Sequence, residues 1–140
     1  MRIERITEAA DVHRAGELFD RPPLPAATAD FLAAPGHHLL LAYDDAGEPV
    51  GMVTGVETTH PDKGTEMFVY ELGVAPAARR RGVATALLDA LREIARSRSC
   101  YGMWVAVDAD DEVALATYAR AGARDEGSCT VLGWSLREEP

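Results

Sequence analysis

The sequence predicts an α/β (α+β) fold, with a mixed, mostly antiparallel central sheet and helices on both faces, in a single domain over residues 1–140. Two apolar segments, 38–43 and 50–57, flank the turn sequence Asp-Ala-Gly-Glu-Pro, which indicates an antiparallel hairpin. Residues 83–98 show apolar side chains at helical spacing: Val83, Leu87, Ala90, Leu91 and Ile94. Apolar strand-like segments lie on both sides of this helix, so we also expect strand-helix-strand crossovers.

The predicted order of elements is β-α-α-β-β-β-α-β-α-β-β. A strand at 1–6 is followed by helices at 8–19 and 26–33, separated by Pro22, Pro23 and Pro25. After the hairpin come a strand at 66–74, the helix at 83–98, a buried strand at 101–108 and a helix at 112–121 that Gly122 ends. One or two strands occupy 123–136. Strict alternation along 66–74 would place Val69, Glu71 and Gly73 on one face of the sheet.

Composition excludes several functions. The chain has 14 Lys plus Arg against 23 Asp plus Glu, a net charge of −9, so a nucleic-acid partner is not expected. Its longest apolar run covers only 39–43 and its start lacks the apolar core of a signal peptide, so we expect no membrane contact and a cytoplasmic location. No two histidines have the spacing that presents a metal site on a helix, and we predict no metal.

The segment from Glu71 to Leu88 carries the clearest functional pattern. A strand ends at Val74, and Arg79, Arg80 and Arg81 lead to Gly82, which opens the helix at 83–98. The unpaired N–H groups and positive dipole end of a helix N-terminus bind anions, and neighbouring arginines add charge, so this segment can hold a pyrophosphate. The alternative is a solvated basic turn between strand and helix.

Two motifs resemble those of a known family. Arg79-x-x-Gly82-x-Ala84, and Tyr118 to Ala123 on the next helix and its exit, resemble the signatures of the GNAT superfamily of acetyl-CoA-dependent N-acetyltransferases. Within it, residues 70–74, 79–87 and 107–111 look like the small aminoglycoside 3-N-acetyltransferases, although those carry Asp where this chain has Glu71.

The resemblance implies a co-substrate, a reaction and a substrate. Acetyl-CoA would be the co-substrate, and its acetyl group would move to a primary amine of a polycationic small molecule, the 3-amino group of an aminoglycoside antibiotic. An acetyltransferase of protein or peptide amines is the second interpretation, and a non-catalytic acetyl-CoA-binding module is the third. The implied coenzyme contacts are Leu72, Gly73, Val74, Arg79, Arg80, Arg81, Gly82, Val83, Ala84 and Thr85.

Acetyl transfer to a protonated amine needs a base. Glu71 lies within an apolar strand, where burying a carboxylate costs free energy unless it faces a water-filled cleft or a partner. We therefore predict that Glu71 is the base or the anchor of the cationic substrate. The alternative is a structural acid in a salt bridge. Asp108 is the second candidate base. Asp108, Asp110 and Asp111 are candidate substrate ligands, or else simple helix-capping acids. By the family resemblance Tyr118 would be the general acid, whereas its spacing favours core packing.

Three large apolar side chains have no predicted catalytic role. We assign Met103, Trp104 and Trp134 to the core or to the interface of a possible homodimer, with Trp134 the more exposed.

Overall fold

The central sheet has five strands in the order β1-β2-β3-β4-β5 in the computed structural model, which describes residues 1–137. The strands are β1 (Arg2–Arg5), β2 (His37–Tyr43), β3 (Pro49–His60), β4 (Gly64–Val74) and β5 (Met103–Trp104). The first three pairings are antiparallel, and β4 pairs with β5 in parallel. The predicted mixed, mostly antiparallel sheet is therefore confirmed.

Four α-helices cover the two faces of this sheet. They are α1 (Ala9–Arg14), α2 (Pro25–Ala33), α3 (Val83–Ser97) and α4 (Glu112–Arg120), and short 3₁₀ turns occupy Gly16–Leu18 and Pro76–Ala78. The helix predicted at 8–19 thus stops at Arg14, because the chain tightens into the 3₁₀ turn at Gly16. None of the helices in residues 1–137 is long and apolar enough to cross a bilayer.

Alternating side chains of the central strands form two apolar cores. Leu40, Ala42 and Val53 pack with Leu87 and Leu91 of α3. The intervening residues of the same strands pack on the opposite face with α1 and its neighbours: Leu39, Leu41, Met52, Val12 and Ala15. The period-two pattern of β2 thus serves both faces, as expected of a central strand covered by helices on both sides.

A buried polar network joins four elements on the α3 face. His38 is only 2% exposed, and its Nε2 lies 2.7 Å from Oε2 of Glu57 on β3. Arg5 on β1 donates from Nε to Nδ1 of His38 over 3.1 Å, and Arg98 after α3 donates to Glu57. Burial lowers the pKa of His38, and the charges of Arg5 and Arg98 add to this, while the hydrogen bond with Glu57 opposes it. Because Nδ1 accepts from Arg5, the neutral ring carries its proton on Nε2 and donates to Glu57.

The C-terminal part of the chain differs from the prediction. The strand expected at 101–108 contains only Met103 and Trp104, Trp104 is 44% exposed, and residues 123–136 form no strand. β5 pairs with β4 on one side and with no described strand on the other. A strand that has one partner along two residues has few ladder hydrogen bonds to extend it, so the predicted buried strand at 101–108 is wrong.

Candidate active site

Strand β4 separates from β5 halfway along its length. The two strands pair only at Met67 with Met103 and at Phe68 with Trp104, whereas β4 continues to Val74. The bond from Ala75 N to Val50 O, 2.8 Å, fixes which residues of β4 face β3. Because that facing alternates along an antiparallel pair, Gly73 directs its backbone groups to β3, and Leu72 and Val74 direct theirs into the opening. Two N–H donors therefore line the gap.

A β-bulge at Tyr70 sets the direction of Glu71. Thr54 on β3 pairs with Glu71, but the next residue, Gly55, pairs with Val69, so Tyr70 is the extra residue. Val69 packs in the α3 core together with Leu72 and Val74. The prediction that Val69 shares a face with Glu71 and Gly73 is therefore wrong, because the bulge breaks the alternation between them.

Glu71 lies beside the loop that follows α1. Its Oε1 accepts a hydrogen bond from the backbone N–H of Asp20 over 3.4 Å, and its own N–H donates to Oγ1 of Thr54 over 3.1 Å. A Cβ added to Gly73 would lie 2.9 Å from the carbonyl oxygen of Leu18, so a side chain at residue 73 would push this loop away. Glycine here keeps the loop close to the carboxylate.

Partial burial raises the pKa of Glu71, and the nearby charge of Asp20 adds to this, while the hydrogen bond from the Asp20 backbone opposes it. No cation within residues 1–137 forms an ion pair with this carboxylate. A half-buried carboxylate with a raised pKa and no counter-ion is suited to accept a proton near neutral pH. The predicted alternative, a salt-bridged structural acid, finds no support in these contacts.

The N-terminus of α3 forms an open, positively charged cradle. Gly82 precedes the helix with φ +77°, and a Cβ built on it meets no atom within 4 Å. Arg80 also adopts a positive φ, 63°, so two residues just before the helix have left-handed backbone conformations. The first N–H groups of the helix, from Val83, Ala84 and Thr85, have no carbonyl four residues earlier within the helix.

Three arginines precede this cradle without acidic partners. Among the described residues, Arg79, Arg80 and Arg81 form no ion pair, and Arg79 donates from Nε to the carbonyl of Val74 over 3.4 Å. That contact joins the cradle to the open end of β4. A pyrophosphate at the helix start would meet backbone donors and free guanidinium groups together, so the residues present fit the phosphates of a coenzyme A.

Tyr118 lies on α4, and its half-buried side chain packs against the core that α3 forms with the sheet. Burial, and then the charge of Asp111, raises the pKa of its hydroxyl. The hydroxyl is therefore protonated at neutral pH and can donate a proton. The ring also packs on the α3 core, as the structural alternative predicts.

The acidic segment between β5 and α4 is exposed. Asp111 is the N-cap of α4, and its Oδ1 accepts from the N–H of Ala114 over 3.0 Å. The N–H of Asp111 in turn donates to the carbonyl of Asp108 over 3.0 Å. Capping thus accounts for Asp111, whereas the carboxylates of Asp108 and Asp110 accept no hydrogen bond among residues 1–137. No described hydrogen bond joins Asp108 to Glu71.

The family model for the acetyltransferase (GNAT) family matches residues 4–123. This match spans the cradle, the open strand β4 and Tyr118.

The chain belongs to the GNAT acetyltransferase family.

This GNAT acetyltransferase is similar in sequence to a bacterial acetyltransferase and in structure to an aminoglycoside acetyltransferase. An acetyltransferase of Sodalis glossinidius (strain morsitans) is 32% identical over 101 residues, which are 72% of this chain and 68% of the relative. An aminoglycoside acetyltransferase from an uncultured soil metagenomic sample is 29% identical, with a TM-score of 0.80 over 96% of this chain and 98% of the other.

Two further structures share the fold at lower identity. An aminoglycoside acetyltransferase from an uncultured soil metagenomic sample, in complex with sisomicin, is 17% identical, with a TM-score of 0.88 over 97% of this chain and 96% of the other. The aminoglycoside N-acetyltransferase AAC(6')-Iy in complex with CoA is 18% identical, with a TM-score of 0.81 over 97% and 99%.

Sequence reasoning missed two residues of this GNAT site, Thr54 and Asp20. Thr54 is almost fully buried and contacts Glu71, and a hydroxyl within the apolar segment 52–56 was the available signal. Asp20 donates a hydrogen bond to Glu71 through its backbone N–H, which any residue except proline carries, and the charge of its side chain raises the pKa of Glu71. Neither effect could be predicted, because the sequence does not show that this loop lies beside β4. An apolar cavity of about 180 Å³ between α2 and the sheet is lined by Thr54, Phe19, Phe31 and Leu39, among others.

Proposed function

We propose that this GNAT acetyltransferase moves the acetyl group of acetyl-CoA to a primary amine of a polycationic small molecule, the 3-amino group of an aminoglycoside. The observation that carries the proposal is Glu71, a half-buried carboxylate with a raised pKa beside the open end of β4. The metagenomic aminoglycoside acetyltransferase at 29% identity supports the substrate class.

The donor would bind along α3 and β4. Arg79, Arg80, Arg81 and the N–H groups at the start of α3 would hold its pyrophosphate. The N–H groups of Leu72 and Val74 would bind the amide groups of the pantetheine arm and the thioester oxygen in the opening between β4 and β5. No metal takes part in this proposal.

Three groups of the protein would handle the protons and the developing charge. Glu71 would take the proton from the attacking amine as its nitrogen bonds to the thioester carbonyl carbon. The N–H groups facing the opening would stabilise the oxyanion that forms. When the carbon–sulfur bond breaks, the Tyr118 hydroxyl would give its proton to the leaving thiolate. Asp108 would be the alternative base.

The acceptor would be drawn by negative charge. The chain carries a net charge of −9, and the carboxylates of Asp108 and Asp110 are exposed and accept no hydrogen bond among residues 1–137. They would contact the ammonium groups of the substrate, with Asp111 contributing charge from its capping position. Such an enzyme would act in the cytoplasm, where acetyl-CoA is made, and would confer resistance to the antibiotic it acetylates.

A thiol-release assay with a panel of amines tests this function. We expect turnover of acetyl-CoA with aminoglycosides and little with single amines. Release with peptide amines alone would favour the second interpretation, and coenzyme binding without release on any amine would favour a non-catalytic module. Mass spectrometry and NMR of the product identify the acetylated amine, and acetylation at a position other than the 3-amino group would overturn that part of the proposal.

A further inference from the structure

The bulge in β4 leaves Glu71 opposite a hydroxyl residue of β3. Thr54 of β3 pairs with Glu71, and Tyr70 just before it has no partner in the register. An extra residue in one strand disrupts the ladder of backbone hydrogen bonds and redirects the side chains next to it. The direction of the Glu71 side chain therefore depends on what fixes the backbone at the bulge.

The side chain of Thr54 fixes this backbone. Its Oγ1 accepts a hydrogen bond from the N–H of Glu71 over 3.1 Å, a contact from side chain to backbone that a regular pair of strands does not require. Thr54 is only 8% exposed, and it lines the apolar cavity together with Phe19 and Phe31. A hydroxyl buried among apolar side chains costs free energy unless it is hydrogen-bonded, and the Glu71 amide satisfies it here.

Threonine suits this position by both shape and chemistry. Its β-branched side chain fits a strand as valine does, and the branching restricts rotation about χ1, so the direction of the hydroxyl is restricted as well. Valine has the same shape without the acceptor, and serine has the acceptor without the branching. The two substitutions therefore separate the hydrogen bond of Thr54 from its packing.

Glu71 is thus held at two points. Its amide is bound to Thr54 on β3, and its Oε1 accepts from the N–H of Asp20 in the loop after α1 over 3.4 Å. The bond to Thr54 is the shorter of the two. Phe19, the residue before Asp20, lines the same cavity as Thr54, so the loop and β3 approach each other behind the carboxylate.

We infer that Thr54 is a positioning residue, whose buried hydroxyl holds the backbone of Glu71 in the bulge and so directs the carboxylate toward the attacking amine. This inference rests on the proposed role of Glu71 as the base. Thr54 acts through Glu71 and transfers no proton itself. Reacting groups must be aligned closely, and a misplacement of about 1 Å can cost roughly a hundredfold in rate.

Steady-state kinetics of two variants test the inference. Thr54→Val removes the hydroxyl and keeps the shape, so kcat should fall about 10- to 100-fold, while the Michaelis constant for acetyl-CoA stays the same because the start of α3 is unchanged. Thr54→Ser should recover most of the turnover. Thr59→Val is the matched control: it removes a side-chain hydrogen bond, to Thr65, at the exposed end of the same strand, and should have wild-type kinetics.

Two further readouts distinguish positioning from a loss of stability. If the carboxylate leaves its half-buried position in Thr54→Val, burial no longer raises the pKa of Glu71, so the acid limb of kcat/KM should move to lower pH. A smaller folded fraction would not move that limb. In the Glu71→Gln background, Thr54→Val should change turnover by less than about twofold, because its effect passes through Glu71.

Hydrogen exchange measured by NMR tests the hydrogen bond without reference to catalysis. The Glu71 amide should exchange roughly tenfold faster in Thr54→Val than in the wild type. Unchanged exchange would overturn the inference, and so would equal losses of turnover in the serine and valine variants. Wild-type turnover of Glu71→Gln would instead overturn the proposed base, and the exchange rate would still show whether Thr54 holds the bulge.

Discussion

Glu71 is the single side chain on which the proposed chemistry depends most. Glu71→Gln keeps the volume and the contact with the Asp20 N–H but removes the proton acceptor. We expect turnover to fall by about two to three orders of magnitude. Glu66→Gln on the same strand is the control and should have wild-type kinetics. A rise in the Michaelis constant alone would instead make Glu71 the anchor of the amine.

The raised pKa of Glu71 gives a pH signature. The carboxyl must be ionised to act as a base, so kcat/KM should decline as the pH falls through a pKa above the ordinary glutamate value of about 4.3. The same group opposes folding at high pH, because its neutral form is favoured in the folded state. A pH–rate profile of Glu71→Gln should lack this acid limb, and an unchanged profile would move the role to Asp108 or to water.

Tyr118 has two proposed roles, proton donor in catalysis and packing residue in the core, and one substitution distinguishes them. Tyr118→Phe removes the hydroxyl and keeps the ring that packs on the α3 core, so the free energy of unfolding should change by less than about 1 kcal/mol. Turnover should drop, because the leaving thiolate would lose its proton donor. Urea unfolding and steady-state rates measure the two effects, and a large loss of stability with unchanged turnover would support the structural role.

At the residue scale the sequence singled out Glu71, because an acid in an apolar strand must be solvated or paired. The structure leaves this carboxylate half-buried and without an ion pair among residues 1–137, and its role as base stays a prediction. The sequence could not identify its neighbours. Whether Thr54 contacts Glu71 depends on the register between β3 and β4, and which side of the sheet Val69 faces depends on the bulge. Both are determined by pairing between strands, which local sequence does not show.

Among the elements, the start of α3 is the predicted coenzyme contact. Gly82→Glu adds a side chain and a negative charge to the open cradle, so the dissociation constant for acetyl-CoA should rise by roughly a hundredfold. Gly47→Glu is the matched control, because Gly47 has φ +79° and open space in the β2–β3 turn. Calorimetry should find that the control binds normally, and equal affinity in both variants would exclude the cradle.

The network around His38 predicts how the assembly of β1, β2, β3 and α3 responds to pH. The pKa of His38 is lowered by folding, so below about pH 6.5 the unfolded chain binds a proton that the folded protein does not. The free energy of unfolding should therefore fall on acidification, by at most about 1.4 kcal/mol per pH unit.

Urea unfolding between roughly pH 5 and 7 measures this slope. His38→Gln keeps a donor for Glu57 and should flatten it, while the exposed His60→Gln should not. The lowered pKa of Glu57 adds a second loss at more acid pH: burial opposes ionisation, but hydrogen bonds from His38 and Arg98 outweigh it.

Strongly periodic elements were predictable, and weakly anchored ones were not. The hairpin of β2 and β3 and the helix α3 agree with the sequence within a few residues, since each buries its own apolar pattern. The residues of β5 and of the segment 123–136 carry the same kind of pattern. Their state depends on what covers them, and local sequence does not contain that information.

For the whole molecule, the testable property is the attraction of a cationic substrate by the negative net charge. If a polycation is attracted by the net charge of −9, raising salt from about 0.05 to 0.5 M shortens the screening length from roughly 14 to 4 Å and should lower kcat/KM for an aminoglycoside. A singly charged amine should respond much less. Steady-state kinetics across the salt series measures both.

Neutralising Asp110 and Asp111 to Asn should flatten this salt dependence without changing coenzyme affinity. Asparagine still caps a helix, so α4 should persist. The same charge change at the other end of β4, Asp62→Asn with Glu66→Gln, is the control. An equal effect of the two pairs would mean that only net charge matters.

The bulge in β4 changes which residues of the strand face α3. Before Tyr70 the odd-numbered residues Met67 and Val69 face α3, and after it the even-numbered residues Leu72 and Val74 do. Buried positions along the strand are therefore separated by two, then three, then two residues. A spacing of three residues between core-facing positions of an apolar strand therefore marks a bulge. At this bulge the side chain that no longer faces the core is that of Glu71.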